Sequence, residues 1–111
     1  MDKQNIVHNN TVNIIRHNPK IIGLDGIILA TSEVNFFNTA TGKGLYHQTD
    51  SLCFDPATKK LYNIEYKCGN KHKDKAIKQL TDERPMLEYC FPQYEIINLY
   101  IHEDFQKEEI R

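Results

Sequence analysis

Asp50 and the tripeptide Glu65-Tyr66-Lys67 are the residues of this 111-residue chain whose types and spacing could do chemistry. They stand on either side of Pro56-Ala57-Thr58-Lys59, a turn sequence between two strand-like runs, Gln48–Asp55 and Lys60–Cys68. A hairpin with that turn brings the start of one strand beside the end of the next, so Asp50 and Glu65 converge at one sheet edge. Two carboxylates at hydrogen-bonding range repel by about 4 kcal/mol at an effective dielectric near 20, and they call for a bridging cation. Oxygen donors with open positions suit Mg²⁺ or Mn²⁺. Alternation along the second strand puts Tyr62, Ile64 and Tyr66 on one face and Leu61, Asn63, Glu65 and Lys67 on the other. Lys67 therefore points with Glu65, where its ammonium could touch a scissile phosphate or the attacking water. Metal-assisted hydrolysis of a phosphodiester is the chemistry such a set performs. Plainer roles exist for each residue: Asp50 as a cap at a strand start, Lys67 as the partner in a structural ion pair. With eight glutamates and eleven lysines, about 0.8 chance matches to Glu-X-Lys are expected, so the tripeptide counts only through its placement.

The elements that must position these residues follow from pattern. Residues 3–17 carry Ile6, Val7, Asn10, Ile14 and Ile15 at near-helical spacing, and Asn18-Pro19 closes that helix. A short helix over Lys20–Leu24 begins with Asn18 as cap and Pro19 in the first position. Asp25-Gly26 is a turn, Ile27–Phe37 a strand with Glu33 inside it, and Asn38–Gly44 a loop. After the hairpin, Lys73–Cys90 is a helix whose buried stripe comprises Ala76, Ile77, Leu80 and Leu87 with Phe91 just beyond, and Pro85 is expected to kink or split it. Tyr94–His102 is a final strand. The predicted order is α-β-β-β-α-β: an α/β fold with a central mixed sheet of about four strands flanked by helices.

Composition narrows the class. The length fits one domain, which buries roughly 65% of its unfolded surface and needs no staple. Charged residues make up 26% and aromatic ones 10%, the balance of a globular protein rather than a disordered one. No apolar run reaches the roughly 18 residues of a membrane span. Met1–Asn5 lacks the apolar core of a signal peptide, and Cys53, Cys68 and Cys90 show no zinc spacing, so reduced thiols in a cytoplasmic protein are expected. Charge is uneven. Seven lysines between Lys59 and Lys78 face only Glu65 and Asp74, whereas residues 103–111 form an acidic tail. A phosphate backbone feels that local field more than the net charge of -1. Lys71, Lys73, Lys75 and Lys78, with Lys43 and His47, are the candidate DNA contacts; solvation of a helix and a turn is the plainer reading of the same lysines. The five histidines show no metal spacing, and His8, His17 and His102 carry no argument.

Asp50 followed by Glu65-Tyr66-Lys67 at the end of the next strand resembles the PD-(D/E)XK nuclease superfamily. His17-Asn18-Pro19-Lys20-Ile21-Ile22, Ser32-Glu33-Val34, Thr49-Asp50-Ser51-Leu52, Ile64-Glu65-Tyr66-Lys67 and Ala76-Ile77-Lys78-Gln79-Leu80 follow in the order of that superfamily's motifs, over roughly residues 15–85. The sequence is most similar to RecB-like, archaeal single-strand endonuclease (NucS-type) and junction-resolvase-like domains. The resemblance implies a restriction-endonuclease-like core, residues 1–111 as one minimal nuclease domain, and a Mg²⁺- or Mn²⁺-dependent endonuclease acting on DNA. It implies Asp50 and Glu65 as the main metal ligands, the Tyr66 carbonyl and Glu33 as further ones, Lys67 as the catalytic lysine, and Gln79 as a helix residue orienting the site. In so small a domain, specificity is expected to come from nucleic-acid shape, a homodimer or a partner protein. The alternative is a catalytically inactive nuclease fold serving as a DNA-binding or protein-interaction module.

Overall fold

The computed structural model describes residues 3–38, 43–67 and 72–111, with side chains described over 7–36, 48–67 and 72–111. The chain runs through helix α1 (Lys3–His17), a 3-10 turn (Pro19–Ile22), strands β1 (Leu29–Ala30), β2 (Val34–Asn38), β3 (Lys43–Thr49), β4 (Ser51–Asp55) and β5 (Lys60–Tyr66), helix α2 (Lys73–Cys90), and strands β6 (Glu95–Ile101) and β7 (Lys107–Ile110). Five strands form one mixed sheet in the order β1-β4-β5-β6-β7, in which only β5 and β6 run parallel. β2 and β3 form a separate antiparallel pair. The fold is α/β, as the pattern predicts, with more strands than the four expected.

Alternation distributes the sheet's side chains between the two helices. Val12 and Ile15 of α1 pack with Ile22, Cys53, Ile64, Tyr66, Leu99 and Ile101. Leu87 of α2 packs with Leu52, Leu61 and Ile96, and Ala76 and Leu80 pack with Tyr100 and Ile110. Both faces of β6 are therefore covered, which is why Ile96–Ile101 is buried throughout instead of alternating with solvent. Gly23 ends the 3-10 turn in the left-handed region, at φ 80°.

Several expectations are corrected. Ile27–Phe37 is two strands, not one: Thr31 breaks the run, accepting Ser51 Oγ on its carbonyl while its own amide and hydroxyl donate to the Leu52 carbonyl. Glu33 falls in that break, exposed and outside any strand. Gln48–Asp55 is divided at Asp50, a bend where the chain leaves the β2–β3 pair and enters the large sheet. Among the described side chains of α1, Thr11, Val12 and Ile15 are buried, whereas Val7 and Ile14 are exposed; the side chain of Ile6 lies outside the described residues. Pro85 leaves α2 unbroken, because Pro85 and Thr81 are both exposed and the carbonyl that loses its partner lies on the solvent side. Residues 103–111 are no tail: a turn with Phe105 at φ 65° returns the chain as β7, an edge strand whose charges face water. Of the predicted loop Asn38–Gly44, residues 39–42 lie outside the described residues, and Asn38 and Lys43–Gly44 belong to strands.

Candidate functional site

The β4–β5 register, with Ser51 opposite Ile64, carries Asp50 to the level of Glu65. Asp50 sits in the bend rather than in the ladder, and its carboxylate turns back on the hairpin: the Tyr66 amide donates to Oδ2 at 2.8 Å. From the other side His8 of α1 places Nε2 3.3 Å from the same oxygen, with its ring tilted over Tyr66 at 5.5 Å. The hydrogen bond to Asp50 holds the His8 imidazole above its ordinary value, against the opposing effect of burial.

Glu65 points the other way, toward α2. It is 1% exposed, and Lys67 Nζ lies 3.3 Å from its Oε1. Gln79, reaching down from α2, donates to its Oε2 at 3.2 Å and also to the Gln48 carbonyl. Burial, reinforced by the Asp50 charge and only partly offset by Lys67, pushes the Glu65 carboxyl up to about 9. A carboxyl shifted this far by desolvation together with a second acid marks a functional-site candidate on electrostatic grounds. Glu83 lies one helical turn beyond Gln79, fully buried, its carboxyl raised chiefly by the same loss of water.

Beneath these acids runs a line of buried amides. Thr49 donates through its hydroxyl to Asn63 Oδ1, Asn63 Nδ2 donates to Glu83 at 3.0 Å and to Asn98 Oδ1 at 3.4 Å, and Asn98 donates to the Leu80 carbonyl at 3.0 Å. Among the described residues no buried side-chain nitrogen or oxygen lacks a partner. The satisfied network makes the end of the hairpin rigid.

Glu65, Lys67 and Gln79 meet on the α2 side, and Asp50 is tied to the same strand end through the Tyr66 amide, but its carboxylate turns toward His8 and not in the direction of Glu65. Glu33 is joined only at one remove, accepting from Gln48 Nε2 at 3.1 Å. The lysines are scattered. Lys73 is held by Glu108 of β7 at 2.9 Å, Lys78 pairs with Asp82 one turn on, and Lys75 is exposed. Lys71 and the side chains of Lys43 and His47 lie outside the described residues. His8, Glu83, Asn63 and Asn98 are the site residues that pattern reading missed. The signal for Glu83 was present: it occupies the third slot of the stripe 76, 80, 83, 87, where an apolar residue belongs.

Asp50 and Glu65 offer hard oxygen donors, each with one basic group beside it, and those donors fit Mg²⁺ or Mn²⁺ in chemistry. No group of three or more His, Cys, Asp or Glu side chains forms a ready cage among the described residues, so such a cation would keep several waters. No helix among them is long and apolar enough to cross a membrane. Compared with protein-family models, curated proteins and solved structures, the chain matches none of them.

Proposed function

We propose that this chain is a divalent-metal-dependent deoxyribonuclease, with Asp50 and Glu65 as metal ligands and Lys67 as the lysine that meets the reacting phosphate. One observation carries the proposal: the Glu65 carboxyl is buried beside Asp50, pushed up to about 9, and has the Lys67 ammonium 3.3 Å away. Holding Glu65 ionised at pH 7 costs roughly 3 kcal/mol in the absence of further positive charge. A divalent cation supplies that charge and, with it, Lewis-acid activation of a water. The chain's own residues do the rest. His8 and the Tyr66 amide hold Asp50, Gln79 holds Glu65, and Lys67 stands where it can stabilise charge developing on a phosphoryl oxygen. Glu33, which Gln48 connects to the site, is an outer residue in this scheme.

A second function, an inactive nuclease fold that binds DNA or protein, is favoured by one feature: Asp50 Oδ2 already serves both the Tyr66 amide and His8. Cleavage of labelled single-stranded, duplex and four-way-junction DNA with Mg²⁺ or Mn²⁺, run beside Glu65→Ala, separates the two. Cutting by the wild type that disappears in Glu65→Ala establishes the nuclease and its preferred DNA shape. Salt-dependent binding by both proteins without cutting establishes the binding module.

A further inference from the structure

Glu83 occupies a core position that Ala76, Leu80 and Leu87 share, and it is as deeply buried as they are. A leucine there would fill the stripe without the cost of several kcal/mol that a desolvated carboxylate incurs unless it is hydrogen-bonded. Both Glu83 oxygens are engaged. Oε1 accepts from Asn63 at 3.0 Å, and Oε2 accepts from Gln79 Nε2 at 3.3 Å. Asn63 is itself pinned by the Thr49 hydroxyl and Asn98, so Glu83 leans on a scaffold spanning β5 and β6. The Gln79 amide is the outlet of that scaffold, because the same nitrogen reaches Glu65 Oε2 and the Gln48 carbonyl. A glutamine on a helix has three side-chain torsions, and fixing them costs rotamer freedom. Glu83, one turn along the same helix face, is one of three acceptors that share the two hydrogens of that nitrogen, and the one that belongs to α2 itself.

We propose that Glu83 is a positioning residue of the candidate site, which acts through Gln79 to fix the orientation of the Glu65 carboxyl. Its catalytic consequence rests on the nuclease function proposed above; the hydrogen-bonded linkage does not. Glu83→Gln keeps the volume but replaces one acceptor with a donor, so it can no longer hold both Asn63 and Gln79. A residue that merely fills the core would tolerate that exchange.

The test uses the full chain, ¹⁵N-labelled, with the Gln79 side-chain amide assigned by its loss in Gln79→Ala. In the wild type those protons should exchange with water at least about tenfold more slowly than in a solvated glutamine. In Glu83→Gln they should shift toward the solvated position while the Leu80 and Leu87 methyl signals stay in place. Mn²⁺ affinity and single-turnover cleavage should fall by about 10- to 100-fold, the range seen when a partner of a metal ligand is removed. The loss should appear in the rate at saturating DNA, with KM within about twofold. The Gln79→Ala/Glu83→Gln pair should be no worse than Gln79→Ala alone. A Gln79 amide that is unmoved in folded Glu83→Gln overturns the proposal, as do losses that simply add. If Glu83→Gln does not fold, Glu83→Leu, which fills the stripe without an acceptor, decides: a Gln79 amide as protected as in the wild type overturns the proposal, and one that exchanges as a solvated amide upholds it. A wild type that neither binds Mn²⁺ nor cuts DNA refutes the nuclease function alone, and the amide signals still decide the role of Glu83.

Discussion

Glu65→Gln, studied without metal, should make the protein more stable at alkaline pH while removing the proposed nuclease activity. The Glu65 carboxyl rises from an ordinary 4.5 to about 9 in the folded chain. Between those values the folded state keeps a proton that the unfolded state releases. The stability tied to that proton is fully present below pH 4.5 and is lost as the pH climbs toward 9, at up to about 1.4 kcal/mol per unit. Over the whole window this amounts to about 3–6 kcal/mol once coupling to Asp50 and Glu83 is counted, a large share of the stability of a domain of this size. Glutamine has nearly the same volume, still accepts from Gln79, and has no proton to lose. The expected outcome is similar stability of the two proteins at pH 5 and an advantage of about 2–5 kcal/mol for Glu65→Gln at pH 8. Urea unfolding at pH 5, 6, 7 and 8 in EDTA measures it. Parallel stability curves for the two proteins would refute the reasoning, because they would mean that Glu65 titrates in the fold as it does in the unfolded chain.

Further outcomes follow from other parts of the molecule. Leu87→Ala empties a fully buried position among Leu52, Leu61 and Ile96 and should cost about 2–5 kcal/mol in denaturant unfolding. Glu108 is held below its ordinary value by Lys73 and then His102, so it stabilises the fold above about pH 4.5 and loses that effect as the pH falls through its folded value. Thermal melts of Glu108→Gln should therefore lie below the wild type at pH 7 and converge with it toward pH 3. If the chain binds DNA through α2, Lys75→Ala should reduce the salt slope of binding by about one unit, as measured by titration at several salt concentrations. Lys78→Ala, which also releases Asp82 from its ion pair, should change the slope less.

Legibility in the sequence tracked how local the deciding physics was. The spans of α1, α2 and β5 were readable because helical spacing, the Asn18-Pro19 stop and strand alternation reside in the segments themselves, whereas the face that α1 buries was not. β7 was not, because Lys107–Glu109 carries the charge of a solvated tail and becomes a strand only when β6 offers an edge. The split at Thr31 depended on the hydroxyl of Ser51, twenty residues away. Within the site, Asp50, Glu65 and Lys67 were found because a tight turn fixes which residues oppose each other. His8 and Glu83 act across layers, from helices that pattern alone cannot dock onto the hairpin.

The buried amides of Asn63 and Asn98 have a consequence for how the chain finds its fold. They lie directly opposite each other in the parallel β5–β6 pair and are 35 residues apart in sequence. Runs such as Ile96-Ile97 and Leu99-Tyr100-Ile101 would pair almost as well if displaced, since apolar side chains discriminate poorly between neighbouring alignments. A slip of one residue would turn Asn98 toward α1 and strand both amides in apolar surroundings, at about 1–3 kcal/mol for each unsatisfied group. The hairpin can close early, but the β5–β6 alignment has to wait for α2 to bring β6 back. The two asparagines then act as an index mark, accepting one alignment of the late-arriving strand and rejecting its neighbours.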